Sequence, residues 1–590
     1  MTFRRRDRRV GVGEPVLPAS AAALQPGSSP LGRIRIFPVA AWLLVAAVGA
    51  LVLYPLARML YGLLFGGSEF GTGGITAAYH DPALVSSLEN TALLIATAGT
   101  GALVIGTALA WVNERTDARI GWLTDILPVV PLFMPPIAQA IGWVFLLAPT
   151  GGLLNGMWRS VLGSSQAYGS GPLDIYSLGG VIFVTTIYLV PFAYLTVSAA
   201  LQNVDPALEE ASRVSGAGTL RTLRLVTVPS IRGALATAAV LIVFMTIALF
   251  SVPIIIGLEP HIDTLSTLIF RVIYQTAPPR LGEAVALSVF MFVTVQLAIV
   301  AEFLIQRRRR HSTISGRSNL GMRLNLGVWK WPVRVAMIFY LLIATVAPVL
   351  GLAFVSLQRF WSSIIAWDKL SFLNYTQLFT VQSSLREGLQ NSLLLGVVTA
   401  TALMVIAAVL TFFIHTSNPV AARIVNGVSG LPASLPHVVI GIAFLVTLGS
   451  YIGGTLLILF LAYVVVLLPQ ATRSAGAAFS QVGRDLWDAS SLCGASQLRT
   501  FVRILMPLML AGLIAGWVIV FVQSFSEITA SVYLSQTPNP VVGPVILDVW
   551  ANSGTFPQLA ALTVIVTLIQ ATVVIGVLVL QRRRVRLRRR

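Results

Sequence analysis

The sequence predicts an all-α integral membrane protein of about twelve transmembrane helices, arranged as two parallel six-helix repeats. Three observations carry that reading. The 590 residues are 56% hydrophobic and only 11% charged, more apolar surface than a water-soluble chain of ordinary composition can bury. The apolar residues come in runs near the ~20 that a helix needs to cross hydrocarbon with its backbone satisfied internally. Residues 204–229 also align with 482–507 without a gap, at a constant offset of 278.

Taken in order, residues 1–36 are Arg-rich and then rich in Pro, Ser, Ala and Gly, too long and polar for an ordinary secretory signal. They read as a disordered basic cytoplasmic tail. The first domain, 37–306, holds apolar runs near 38–64, 88–112, 123–148, 177–201, 234–257 and 283–306. Residues 307–331 form a basic cytoplasmic linker. The second domain, 332–581, holds runs near 332–357, 390–414, 428–449, 453–477, 509–534 and 558–581, and residues 582–590 are a basic cytoplasmic tail.

The net charge of +18 marks topology and not a nucleic-acid partner, because the basic residues sit at the ends, in the middle and in short loops. With the N-terminus inside, 33 of the 40 Lys and Arg fall in or beside cytoplasmic segments, which places both termini in the cytoplasm. The single cysteine, Cys493, excludes an internal disulfide framework and a multi-cysteine metal site.

Within the repeat, Gly216-Ala217 falls on Gly494-Ala495, Leu220-Arg221-Thr222 on Leu498-Arg499-Thr500, and Pro229 on Pro507. A second match sets Leu88-x-Asn90-Thr91 over Leu389-x-Asn391-Ser392 at an offset of 301. The first half therefore carries about 23 extra residues between the two matches, expected in the Gly/Ser-rich external loop of 149–180. Asn90 and Asn391 are expected to hydrogen-bond at the start of their spans. Two units that each begin inside and cross six times are related by an axis along the membrane normal, with a pathway between them.

The cytoplasmic loops 202–233 and 480–508 carry one pattern twice: an acidic residue, two small residues, a glycine, then aliphatic-x-aliphatic-Pro. The first copy uses Glu210, Ala211, Ser212, Gly216, Val226, Val228 and Pro229; the second uses Asp488, Ala489, Ser490, Gly494, Ile504, Met506 and Pro507. Glu209 or Glu210 is expected to open a short amphipathic helix, where a carboxylate meets the positive end of the helix dipole. Gly216 is expected to permit a turn that alanine resists. The second copy departs at Asp488, and has Ser491 where the first has Arg213.

These segments resemble the EAA loops of binding-protein-dependent ABC importer permeases, on Glu209, Glu210, Ala211, Arg213, Gly216 and Pro229 and on Asp488, Ala489, Gly494 and Pro507. The resemblance implies a type I ABC importer permease fold in the bacterial inner membrane, not an enzyme. It implies loops that dock on a dimer of a cytoplasmic ATP-binding subunit, which holds ATP and Mg, while this chain binds no cofactor. It also implies a periplasmic solute-binding protein as partner. The fused two-domain form is most similar to ferric iron transport permeases, as are Leu435-Pro436 and Ser524-Phe525-Ser526-Glu527-Ile528-Thr529-Ala530-Ser531. Thiamine, 2-aminoethylphosphonate or another small solute is the alternative within that class.

No glycine-rich loop ends in Gly-Lys-Ser/Thr, since the only lysines, Lys330 and Lys369, follow Trp and Asp. The five histidines are scattered, without H-E-x-x-H, and there is no G-x-S-x-G elbow. An ion-gradient-driven secondary transporter is the rival from another class; it would want a relay of intramembrane carboxylates, and only Glu527 lies well inside a span. Gly512, Gly516, Gln523, Glu527 and Ser531 project onto one face of the eleventh span, with Ser524, Ser526 and Thr529 near enough to satisfy the carboxylate. The third spans carry Pro135-Pro136 with Gln139, and Pro436 with His437. The candidate pathway residues are therefore Gln139, His437, Gln523, Ser524 and Glu527. At an offset of 278 Glu527 falls on Leu249, so such a site is asymmetric.

Overall fold

The computed structural model describes residues 36–66, 72–121, 124, 127–162, 170–307, 323–364, 366–381, 383–482, 486, 489–490 and 492–588. The N-terminal tail, most of the linker and Asp488 lie outside the described residues. Within them the secondary structure is helical, apart from one isolated bridge between Thr116 and Leu324.

The first half runs α1 (Ile36–Phe65), α2 (Thr72–His80), α3 (Ala83–Arg115), α4 (Pro136–Leu147), α5 (Leu153–Leu162), α6 (Leu178–Asn203), α7 (Pro206–Val214), α8 (Thr219–Ser230), α9 (Arg232–Ala248), α10 (Ser251–Gly257), α11 (Leu265–Tyr274) and α12 (Leu281–Arg307). The second runs α13 (Gly327–Leu357), α14 (Leu373–Thr380), α15 (Ser383–Thr416), α16 (Pro419–Ser434), α17 (His437–Ile452), α18 (Leu456–Ser480), α19 (Gln497–Phe525), α20 (Ser531–Leu534), α21 (Val542–Asp548) and α22 (Phe556–Arg588). Residues 582–588 of the basic tail continue α22.

Nine helices among the described residues are long and apolar enough to cross a bilayer: α1, α3, α6, α12, α13, α15, α18, α19 and α22. Two helix pairs are long and apolar enough only when taken together, and each is bent, α8–α9 by 72° and α16–α17 by 100°. The third run of the first half is not a straight span: a 3₁₀ turn at Val130–Phe133 leads into the twelve-residue α4. Proline causes both third-run breaks. Pro135-Pro136 and Pro436 lack a backbone donor, and each forces the residue before it out of the helical region. The eleventh run is also corrected, since α19 stops at Phe525 and the chain restarts as α20 only at Ser531.

The repeat is visible in hydrogen bonds. Asn90 Nδ2 donates to the carbonyl of Asp263 at 2.9 Å, and Asn391 Nδ2 to that of Pro540 at 2.9 Å. The neighbouring hydroxyls accept the first amides of the following helices, Thr91 Oγ1 from Leu265 at 3.1 Å and Ser392 Oγ from Val542 at 2.9 Å. These asparagines sit well inside α3 and α15, so they are ties between elements and not start-of-span groups.

The offset changes from 301 to 278 between α4 and α6, where α5 and its flanks occupy a stretch that the second half crosses from Ile452 to Leu456. Buried Arg159 on α5 donates to the carbonyls of Pro149 and Thr150 and, at 2.7 Å, to Ser363 Oγ in the second half.

The halves interlock. α4 crosses α13 so closely that a Cβ on Gly142 would stand 2.5 Å from the Pro348 carbonyl oxygen. Gln139 Nε2 donates to the Ala344 carbonyl at the same crossing, at 3.0 Å. In the reciprocal contact α17 packs on α1, with Thr447 Oγ1 3.5 Å from the Pro55 carbonyl oxygen. The first span of each half thus rests on the third-run helix of the other.

Candidate functional site

The two patterned loops fold alike. α7 opens on Asp205, whose carboxylate accepts from the Ala207 amide at 2.9 Å, and closes through Gly216 at φ +82°. Gly494 takes the same left-handed conformation at φ +73°. After each glycine the chain folds back, Ala217 N donating to Ser212 O at 3.1 Å and Ala495 N to Ser490 O at 3.2 Å. A hydroxyl pair then ties each short helix to the next, Ser212 to Thr222 at 3.0 Å and Ser490 to Thr500 at 2.7 Å.

Pro229 and Pro507 follow π turns at Leu223–Thr227 and Phe501–Leu505. The wider turn makes room for a ring that an α-turn would clash with.

Glu209 lies in the first turn of α7, where its carboxylate was expected. It turns inward, with Arg115 Nε 3.3 Å from Oε1 and Thr227 Oγ1 donating to the same oxygen at 2.8 Å. The capping role belongs to Asp205, which the repeated pattern does not mark. Glu210 is half-buried, Ala211 and Ala489 are exposed, and Arg213 Nε reaches the Glu209 carbonyl at 3.3 Å.

Each loop turns three large apolar side chains to solvent at matching positions: Leu208, Val214 and Leu220 in one, Leu486, Leu492 and Leu498 in the other. Val214 and Leu492 are 89% and 88% exposed. Exposed apolar groups gathered on one surface are a feature of protein or membrane contact sites.

Between the halves lies a cavity of about 320 Å³. Its first-half wall is mostly apolar, with Leu241, Phe244, Leu249 and Phe250, while the second half supplies His437, Gln470, Arg473, Gln523 and Glu527. Glu527 lies in the break between α19 and α20, not on a continuous helical face. Its carboxylate accepts from the amides of Ala530 at 2.8 Å and Ser531 at 3.0 Å and from the Ser531 hydroxyl, and so caps α20. His437 Nδ1, on the half-open mouth of α17, is 3.6 Å from Glu527 Oε1. Tyr463 closes the network with a 2.7 Å bond to Ser531.

Of the five candidate pathway residues, His437, Gln523 and Glu527 meet at this cavity. Gln139 is buried against α13 instead, and Ser524 is buried on another face of α19. Sequence reading missed Arg473 and Gln470, although a charge one turn beyond Pro469 inside an apolar run was a usable signal. Among the described residues no group of three or more His, Cys, Asp or Glu is placed to hold a metal ion. The cavity can offer hydrogen bonds and single charges to a small polar molecule.

A family model described as "Binding-protein-dependent transport system inner membrane component" matches residues 102–356 and 415–587. The chain is 22% identical over 511 residues to the ferric transport system permease protein FbpB of Actinobacillus pleuropneumoniae, covering 84% of this chain and 71% of that protein. It is 23% identical over 494 residues to the putative ferric transport system permease protein FbpB 1 of Haemophilus influenzae, covering 82% and 75%. Among solved structures, a bacterial alginate ABC transporter in complex with alginate pentasaccharide-bound periplasmic protein is 20% identical with a TM-score of 0.39, covering 48% of this chain and 97% of that one.

Proposed function

The chain belongs to the family of binding-protein-dependent transport system inner membrane components, the permeases of ABC importers, and from that premise we propose that it moves ferric iron inward. In this reading a dimer of a separate ATP-binding subunit, carrying ATP and Mg, docks on the two loops from the cytoplasm. A periplasmic binding protein delivers the solute to the other side, and both termini lie in the cytoplasm of a bacterial cell with the chain in its inner membrane.

The observation that carries the reading is the repeated loop tip. Two turns of one geometry, 278 residues apart, present equivalent apolar triplets, as a pair of equivalent grooves on a dimer requires. Glu210, Ala211, Gly216 and Pro229, with Asp488, Ala489, Gly494 and Pro507, form these docking elements. His437, Gln523 and Glu527 line the path of the solute. Iron as the solute rests on the names of the two ferric relatives.

The test is reconstitution of the chain with an ABC-importer ATP-binding subunit from the same cell, measuring co-elution and ATP hydrolysis on adding ferric-loaded binding protein. Stimulation supports both parts of the proposal. Co-elution without stimulation moves the solute to thiamine, 2-aminoethylphosphonate or another small molecule. Failure to associate at all returns the secondary transporter.

A further inference from the structure

The two docking loops differ in what stands behind them. Behind the first, Arg115 at the end of α3 donates through Nη2 to the carbonyls of Leu201 at 2.8 Å and Val204 at 2.9 Å, at the end of α6. Its Nε faces Glu209 on α7 at 3.3 Å, and the two side chains are only 11% and 9% exposed. One guanidinium therefore joins α3, α6 and the docking helix in a buried setting, where removing one partner of a charge pair is costly.

The same short segment is clipped to the end of the linker and to α13. Leu324 pairs its backbone with it, its amide donating to Arg115 O at 2.8 Å and its carbonyl accepting from Asp117 N at 3.0 Å. The Leu326 amide donates to Asp117 Oδ1 at 3.0 Å. From α13, Arg334 reaches the carbonyls of Ala118 at 3.0 Å and Arg119 at 3.2 Å. Leu324 also closes the small cavity behind Arg115 and Glu209.

The second loop has no counterpart in residue type. At the repeat offsets Arg115 becomes Thr416, Glu209 becomes Trp487 and Thr227 becomes Leu505. Nothing at those positions can form an ion pair.

We propose that residues 115–119 are a brace between the first docking loop and α13, with Arg115 as its positioning residue, so that motion of the first loop is passed to both halves and motion of the second to its own. This rests on the loops being the docking elements. A rigid-body displacement of α7 must carry Arg115, and with it Leu324 and Arg334, because the links are short and buried or backbone-borne. α13 in turn bears on α4, which returns the displacement to the first half at the cavity end.

The experiment compares Arg115→Gln, Arg115→Lys, Glu209→Gln, the Arg115→Gln/Glu209→Gln double variant and Arg334→Gln, in the reconstituted complex with its ATP-binding subunit. The readout is solute taken up per ATP hydrolysed, at equal amounts of assembled complex. Arg115→Gln is expected to lower that ratio roughly 10-fold, a size usual for coupling between sites. The double variant is expected to be no worse than either single one, Arg115→Lys to recover part of the ratio, and Arg334→Gln, which leaves the Glu209 pair intact, to lower it less. An unchanged ratio in Arg115→Gln and Arg334→Gln, or additive losses in the double variant, overturns the brace. A purely structural role would reduce assembled complex and leave the ratio alone. Failure of the wild-type chain to bind the ATP-binding subunit strikes the docking reading instead and is seen before any variant is made.

Discussion

A buried carboxylate is costly unless its oxygens are claimed, and Glu527 has both claimed by the amides of Ala530 and Ser531, with His437 beside them. Glu527→Gln replaces an acceptor with a donor and leaves one of those amides unpaired, an expected loss of about 1–3 kcal/mol, read as a lower midpoint in thermal unfolding of the solubilised protein. Gly216 and Gly494 pose a different demand. Space around them is open, so an added Cβ meets no neighbour and only the positive φ resists it. Ala at either site is expected to strain the turn by about 1–2 kcal/mol and to weaken ATPase stimulation, with Asn closer to wild type. Gly216→Asp and Gly494→Asp are expected to uncouple uptake from hydrolysis through the added charge at the dock; normal uptake at normal abundance would remove these turns from the coupling path. The glycine turns were readable because the residue type itself names the backbone conformation. The ion pair of Glu209 was not, because Arg115 lies 94 positions away and no local pattern joins them.

At the level of helices, hydropathy marked the apolar runs but not their shape. An apolar run reports that a segment is buried or lipid-facing, and it carries no direction, so the 72° and 100° bends are invisible except through proline. Projecting Gly512 to Ser531 on one face assumed a helix that continues; Glu527 itself ends that helix by capping the next. Gly512 and Gly516 did mark a close approach, since a Cβ on either would stand 2.5 or 2.6 Å from the Cβ of Ala478 or Ser474 on α18. The asparagine ties offer a test of the repeat. Asn90→Leu and Asn391→Leu each leave a backbone carbonyl without its partner, and each is expected to destabilise by about 1–3 kcal/mol, to a similar degree in the two halves. Thermal unfolding of the two variants side by side checks it, and a large inequality would mean that the equivalent bonds are not equivalent in strength.

For the molecule as a whole, the reciprocal packing of α4 on α13 and of α17 on α1 makes each half part of the other's core. Residues 1–316 and 317–590, expressed together as separate chains, are therefore expected to co-purify from membranes, while either alone is expected to be poorly retained. Independent accumulation of each half would show that the linker, and not the interlock, holds them. The duplication was legible because its register survived in the loops; the interlock was not, because helix partners across a repeat axis leave no spacing in the chain.

The cavity's two unlike walls are possible because the halves are parts of one chain. In an assembly of two identical subunits, a codon change that placed histidine at the position of His437 would place it at the position of Pro136 as well, and a glutamate for Glu527 would appear at Leu249. Fusion gives each wall its own hereditary record. A substitution can then change the charge of one side of the cavity without being copied onto the other.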